Sequence, residues 1–135
     1  MRRLLLIAIM VVCCHSIVNA DDKTEATAKD FLRKIFAGDI QGAKELSAVP
    51  FSFDRKDLIK DEKDIEGFFN QITTQNGKLD IAITSIKEIE DRKGVHKELK
   101  DEIIVYEIEF KIKDSTEKLQ VFIRKKDGKV VGLFG

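Results

Sequence analysis

The sequence predicts an α+β fold, with three N-terminal helices packed on a curved antiparallel sheet of four main strands, a cone-shaped roll. Three observations carry this. From Thr24 to Asn76, apolar residues recur at the three-to-four-residue spacing of helices with one buried stripe. From Leu79 onward the spacing falls to two, the period of a strand. Asp127-Gly128, between two alternating segments, is the strongest hairpin signal in the chain.

The first helix is expected over Thr24 to Ala37. Thr24 serves as its N-cap, Ala28, Phe31, Leu32, Ile35 and Phe36 form its buried stripe, and Gly38 forms its C-cap. Asp39 then caps a second helix, Ile40 to about Ser47, with Ile40, Ala43 and Leu46 inward. Pro50 ends it, and Phe51-Ser52-Phe53 reads as a short extended piece. Arg55 to Lys60 is a charged connection anchored by Leu58 and Ile59. A third helix starts near Asp61, buries Ile65, Phe68, Phe69 and Ile72, and stops at Asn76-Gly77. Gly67 inside it costs roughly 1 kcal/mol against alanine, which a close approach of helix to sheet would explain.

Leu79, Ile81 and Ile83 begin the sheet, and the break of phase at Ile86 and Ile89 places a bulge near Ser85. Asp91 to Asp101 carries Gly94, His96 and seven charged residues and reads as an exposed turn. The organising strand is Glu102 to Lys113, with Ile104, Tyr106, Ile108, Phe110 and Ile112 on one face. Asp114-Ser115 turns the chain into Leu119, Val121 and Ile123, and Val130 to Phe134 closes the sheet. Opposed residues share a face. Paired numbers across the first hairpin must therefore sum to an odd value, such as 229 or 231, given the even and odd phases of its two strands. A two-residue loop at Asp127-Gly128 pairs Phe122 with Leu133 and Val121 with Phe134. Phe122, Val131 and Leu133 then join Ile103 and Val105 on the second face of the sheet, a half-apolar surface suited to a homodimer.

The ends and the composition bound the function. Arg2 and Arg3, the apolar run Leu4 to Cys14, and Val18-Asn19-Ala20 form an export signal cleaved after Ala20, leading to a periplasmic or extracellular location. The apolar run is too short for a stable membrane anchor. Lipid attachment at Cys13 would require a small residue before it, and Val12 stands there. Arg2-Arg3 lacks the rest of a twin-arginine pattern. Both cysteines, Cys13 and Cys14, lie in the signal, so the remaining chain has neither disulfides nor thiol chemistry. Without Arg2 and Arg3 the balance is 22 basic to 24 acidic residues, a net charge of −2, with the signs interspersed. No basic stripe of the kind that nucleic acid requires is present. About 115 residues suffice for one domain, 21–135, with a single core.

The run FLRKIFAGDIQGAKELSAVPFSF, followed by a helix containing IEGFFNQI and then the strands, resembles the nuclear-transport-factor-2-like superfamily. That group includes the SnoaL-like polyketide cyclases and the ketosteroid isomerases. The resemblance covers nearly all of residues 21–135 and implies a curved sheet wrapped on helices, a conical cavity between them, and dimerisation through the sheet. A cystatin-like fold, one helix on a four-stranded sheet, is the rival, and three helical stripes argue against it.

Catalytic members of the superfamily place a carboxylate base and hydrogen-bond donors inside the cone. Tyr106, the only tyrosine, is in phase to face the helices and to donate there. No Asp or Glu shares its face on 104–112; Glu107 and Glu109 point the other way, Asp80 alternates outward, and Asp101 ends a loop. A general base must be desolvated and within reach of the substrate proton. His96, the one histidine outside the signal, has neither triad nor metal partners in its charged turn. Gly38 and Gly42 belong to helix ends rather than to a phosphate loop, and Asp61-Glu62-Lys63-Asp64 is a helix start favoured by the macrodipole. No cofactor or metal site is expected. Phe51, Phe53, Phe68 and Phe69 form an apolar set that either fills the core or, with Tyr106, lines the cavity as ligand-binding residues. The reading is a non-catalytic exported binding module of unknown ligand, taking a small apolar or amphipathic molecule in the cone or a protein through the sheet face. The alternative is a SnoaL-like isomerase or cyclase with Tyr106 as donor.

Overall fold

The computed structural model describes residues 20–54, 57–99 and 102–135. The expected export signal up to Asn19, the Arg55-Lys56 part of the charged connection, and Asp101 lie outside them. The elements run α1 (Ala20–Ala37), α2 (Ile40–Leu46), β1 (Ser47–Asp54), β2 (Asp57–Ile59), α3 (Glu62–Asn76), β3 (Ala82–Ile89), a 3-10 turn at Lys97–Leu99, β4 (Ile103–Ile112), β5 (Ser115–Arg124) and β6 (Val130–Phe134). Among the described residues no helix is long and apolar enough to cross a membrane.

The helix ends follow local chemistry. Asp39 accepts the Gly42 N–H at 3.0 Å and starts α2; Asp61 accepts the Lys63 N–H at 2.9 Å and starts α3. Gly38 and Gly77, at φ +81° and +72°, stop α1 and α3 in the left-handed region that favours glycine. Thr24 is not a cap, because α1 begins earlier; it is a buried residue of the helix interior. Gly67 faces open space, so no close helix–sheet approach explains it.

The α+β class holds, with a larger sheet than expected. Six strands pair in the order β2-β1-β6-β5-β4-β3. Proline at a cis Val49–Pro50 bond is accommodated inside β1, which starts directly after α2 and runs parallel to β6. The charged connection supplies β2, paired antiparallel to β1. The irregularity expected near Ser85 is present between Ile83 and Ser85. Across β4 and β5 the pairs are Ile104–Ile123, Tyr106–Val121, Ile108–Leu119 and Phe110–Glu117. The parity is the one deduced, but the turn is Lys113-Asp114, one residue earlier, with Lys113 at φ +54°.

The last hairpin departs from expectation. The chain reverses through Lys125 to Lys129, closed by Arg124 N–H to the Lys129 carbonyl at 2.8 Å. Val121 pairs with Leu133 and Phe122 with Gly132, and the register slips before the Ile123–Val130 pair. Val131 is thus the extra residue of a bulge. It turns Leu133 to the helix side, where Leu133 joins the main core, instead of the second face assigned to it.

That second face is not an open surface. Ile103, Val105, Phe122 and Val131 are fully buried together with Val95 and Leu99, which descend from the 91–99 loop. The loop expected to be an exposed turn is therefore a cover. Gly94 lets it sit on the Phe134 ring, where an added Cβ would come within 2.3 Å. The His96 N–H donates to Ser52 Oγ at 3.3 Å, fixing the cover to β1. The residues expected to form a homodimer face are an internal layer of the chain itself.

Candidate functional site

A cavity of about 670 Å³ opens between the helices and one end of the sheet. Leu32, Ile35 and Phe36 of α1 form one wall. Phe68, Ile72 and Asn76 of α3, spaced four apart, form a second. Phe110, Ile112, Leu119 and Leu133 form the floor, since the even residues of β4 and the odd residues of β5 point toward the helices. Leu79 closes a corner, held by its N–H donating to the Phe36 carbonyl at 2.7 Å.

The floor changes character along its length. On β5 the helix-facing stripe reads Val121, Leu119, Glu117, Ser115, apolar and then polar toward the hairpin turn. Glu117 and Ser115 lie opposite Phe110 and Ile112. Lys113 in the turn completes a polar rim, while Lys118 borders the cavity from a strand position opposite Glu109, on the other face of the sheet. Among the described residues neither lysine makes an ion pair. Glu117, on this exposed rim, is the one acidic side chain among the lining residues.

The five expected ligand-binding residues divide. Phe53 and Phe68 line the cavity, their ring centroids 4.9 Å apart, with Phe53 36% exposed. Phe51 and Phe69 stand behind them, fully buried in contact with Phe31. Tyr106 is on the helix-facing side, as its phase requires, but does not line the cavity. It lies four residues from Phe110, ~13 Å along the strand. Its hydroxyl is 2.6 Å from Thr24 Oγ1 in the interior, beneath the first turns of α1. The lining residues that phase analysis passed over are Asn76, Leu79, Lys113, Ser115, Glu117 and Lys118. The loss of apolarity at two successive inward positions of β5 is the signal that marks Glu117 and Ser115.

Among the described residues, a charge coupling that shifts both partners belongs to the β5–β6 reversal. Arg124 Nε donates to Asp127 Oδ1 at 3.1 Å, and Asp127 Oδ1 also accepts the Lys129 N–H at 3.1 Å. The hydrogen bond from Arg124 holds the Asp127 carboxyl below its ordinary range, and Asp127 raises the guanidinium in return. This pair stabilises a turn and touches no lining residue of the cavity.

No protein-family model matches the chain, and no curated protein matches it. Among solved structures, the chain is similar to an NTF2-like protein of unknown function from Cytophaga hutchinsonii, at 11% identity and a TM-score of 0.47 over 82% of this chain and 86% of that one. It is also similar to a structure described as Rd1NTF2_05 with long sheet, at 14% identity and a TM-score of 0.45 over 87% of this chain and 99% of that one. Likeness at this level carries no argument about family or role. The architecture stands on the chain's own elements, three helices and one six-stranded sheet.

Proposed function

We propose that this chain is an exported binding module that holds the apolar body of a small molecule in the cavity between helices and sheet. The observation that carries the reading is the cavity itself. Its volume, about 670 Å³, falls within the ~300–1,000 Å³ typical of small-molecule sites, and its walls are apolar side chains from α1, α3, β4, β5 and β6. Export is supported by the Arg2-Arg3, Leu4–Cys14 and Val18-Asn19-Ala20 pattern. A binding rather than a catalytic role is supported by where the acid–base candidates lie. Glu117 sits on an exposed rim instead of in a dry pocket, and the Tyr106 hydroxyl meets Thr24 away from the cavity lining. The isomerase alternative requires Tyr106 and a carboxylate at one substrate.

Titration with the neutral fluorophore N-phenyl-1-naphthylamine tests the reading. We expect saturable, blue-shifted emission with one equivalent bound. Ile72→Trp fills the cavity from α3 and abolishes the signal while far-UV circular dichroism is unchanged. A folded wild-type protein that gives no enhancement, or an Ile72→Trp protein that binds as wild type does, refutes it.

A further inference from the structure

We infer that segment 91–99 is a detachable strap on the outer face of the sheet, and that a ligand in the cavity on the other face favours its closure. This rests on the binding reading above and adds the regulation of that site.

The strap is held by little. Val95 and Leu99 are its buried apolar anchors, set among Ile103, Val105, Phe122 and Val131. The His96 N–H reaches Ser52 Oγ at 3.3 Å, at the long edge of the N–H···O range. Against these, Arg92 in the strap keeps its Nη1 buried without a hydrogen-bond partner, and Gln120, opposite Phe134 on the outer face of β5, does the same with its Oε1. A buried polar atom with no partner weakens the state that buries it. Lifting the strap returns the Arg92 guanidinium to water and loses the two anchors. It breaks no strand ladder, because residues 91–99 pair with no strand. Such a segment opens by itself, below the cost of global unfolding.

Through the sheet, the strap bears on a lightly supported ring of the cavity. The β1–β2 pairs run Phe51–Ile59, Ser52–Leu58 and then Asp54–Asp57, so Phe53 is an extra residue with no partner in that ladder. Its ring is 36% exposed and, among the described residues, meets one other ring, that of Phe68. Side chains alternate along a strand, so Phe53 turns to the cavity while Ser52 turns to the strap. β6 repeats the arrangement: Leu133 faces the cavity, and Phe134 lies against Gly94 of the strap. With the strap down, His96 holds Ser52 from outside, and the neighbouring Phe53 is presented to the ligand in one position. With the strap lifted, Phe53 has neither that hold nor a partner on β2. A ligand packed on Phe53 therefore binds the closed form better, and by linkage it draws the strap down.

Amide hydrogen exchange of the intact protein, read by NMR with and without saturating N-phenyl-1-naphthylamine, tests both the strap and its coupling. The reporters are the Val95, His96 and Leu99 amides, which donate to the Arg92 carbonyl, Ser52 Oγ and the His96 carbonyl. Ile108, in the middle of β4, reports global opening. Gly128, bonded to the Arg124 carbonyl in a turn that does not line the cavity, reports local opening elsewhere. We expect strap protection at least about 10-fold below that of Ile108. The fluorophore should raise it on the order of 5-fold and leave Gly128 unchanged. Val95→Ser/Leu99→Ser removes both anchors, leaves the strap open and lowers fluorophore affinity by the same factor. The wild-type measurement stands even if that variant does not fold. Strap amides as protected as Ile108 overturn the detachable strap. Strap amides that open separately but ignore bound fluorophore, or a folded double variant that binds as wild type does, overturn the coupling and leave the cavity reading intact. A fluorophore that never binds removes the cavity reading and the coupling with it, while the strap is still judged by its own protection.

Discussion

Alanine at Phe69 and at Phe53 separates the packing half of the aromatic set from its ligand-facing half. Phe69 is fully buried, with ring centroids of Phe31 and Phe51 each 5.5 Å away at steep angles and Phe68 at 6.0 Å. Truncating such a ring loses its transfer free energy and leaves a void that three neighbouring rings cannot all collapse into. The expected cost is ~3–5 kcal/mol. Against a total stability of ~5–15 kcal/mol for a domain, this is a large fraction. Phe53 is 36% exposed and touches one ring, Phe68, at the cavity margin. Its removal opens no enclosed void and is expected to cost about 1 kcal/mol. Urea unfolding followed by far-UV circular dichroism, extrapolated linearly with the slope checked for constancy, gives both numbers. Fluorophore titration then gives the reverse order: Phe53→Ala weakens binding although it barely affects stability. A loss below about 1.5 kcal/mol for Phe69→Ala, or a Phe53→Ala loss as large as that of Phe69→Ala, would refute the assignment of these rings.

Glycine substitutions should act with opposite signs at two sites. Gly67→Ala, in open space inside α3, is expected to raise stability by ~0.5–1 kcal/mol, whereas Gly132→Ala drives a Cβ to within 2.5 Å of the Ser52 carbonyl oxygen and is expected to lower it by ~1–3 kcal/mol. The urea midpoints of the two variants should move apart. Tyr106→Phe removes the hydroxyl contact with Thr24 and is expected to cost ~0.5–1.5 kcal/mol with no change in fluorophore affinity, whereas a drop in affinity would place Tyr106 at the ligand. The Asp127 carboxyl is held below its ordinary value of 3.8, so its interaction stabilises the fold above that value and is lost as the pH falls through the lowered folded value. Melting curves of wild type and Asp127→Asn should therefore differ by a constant amount near neutral pH and converge under acid below 3.8.

Local rhythm made much of this fold readable. The β4 stripe from Ile104 to Ile112 has a residue at every alternate position, and its pairing parity with β5 follows from phase alone. The caps at Asp39 and Asp61 are short-range hydrogen bonds between neighbours in sequence, which a sequence displays directly. Contacts between distant segments were less legible. The parallel alignment of β1 with β6 joins opposite ends of the chain and leaves no periodic trace. Val95 and Leu99 are two apolar anchors in a charged loop, too few to set a period, yet both are buried. For the site, phase gave the face of Tyr106 correctly but not its depth along the strand. The side chains at Phe53 and Phe68 were expected at the cavity, whereas the hairpin lysines had no apolar pattern to announce them.

The surplus residue at Val131 gives β6 one residue of length to spare. Deleting it would give a regular β6 in which Leu133 still opposes Val121 and Phe134 still opposes Gln120, so both keep their present faces. Loss of a single codon there would thus leave the floor of the cavity facing the helices as it does now, a tolerance of length that substitution scans do not sample.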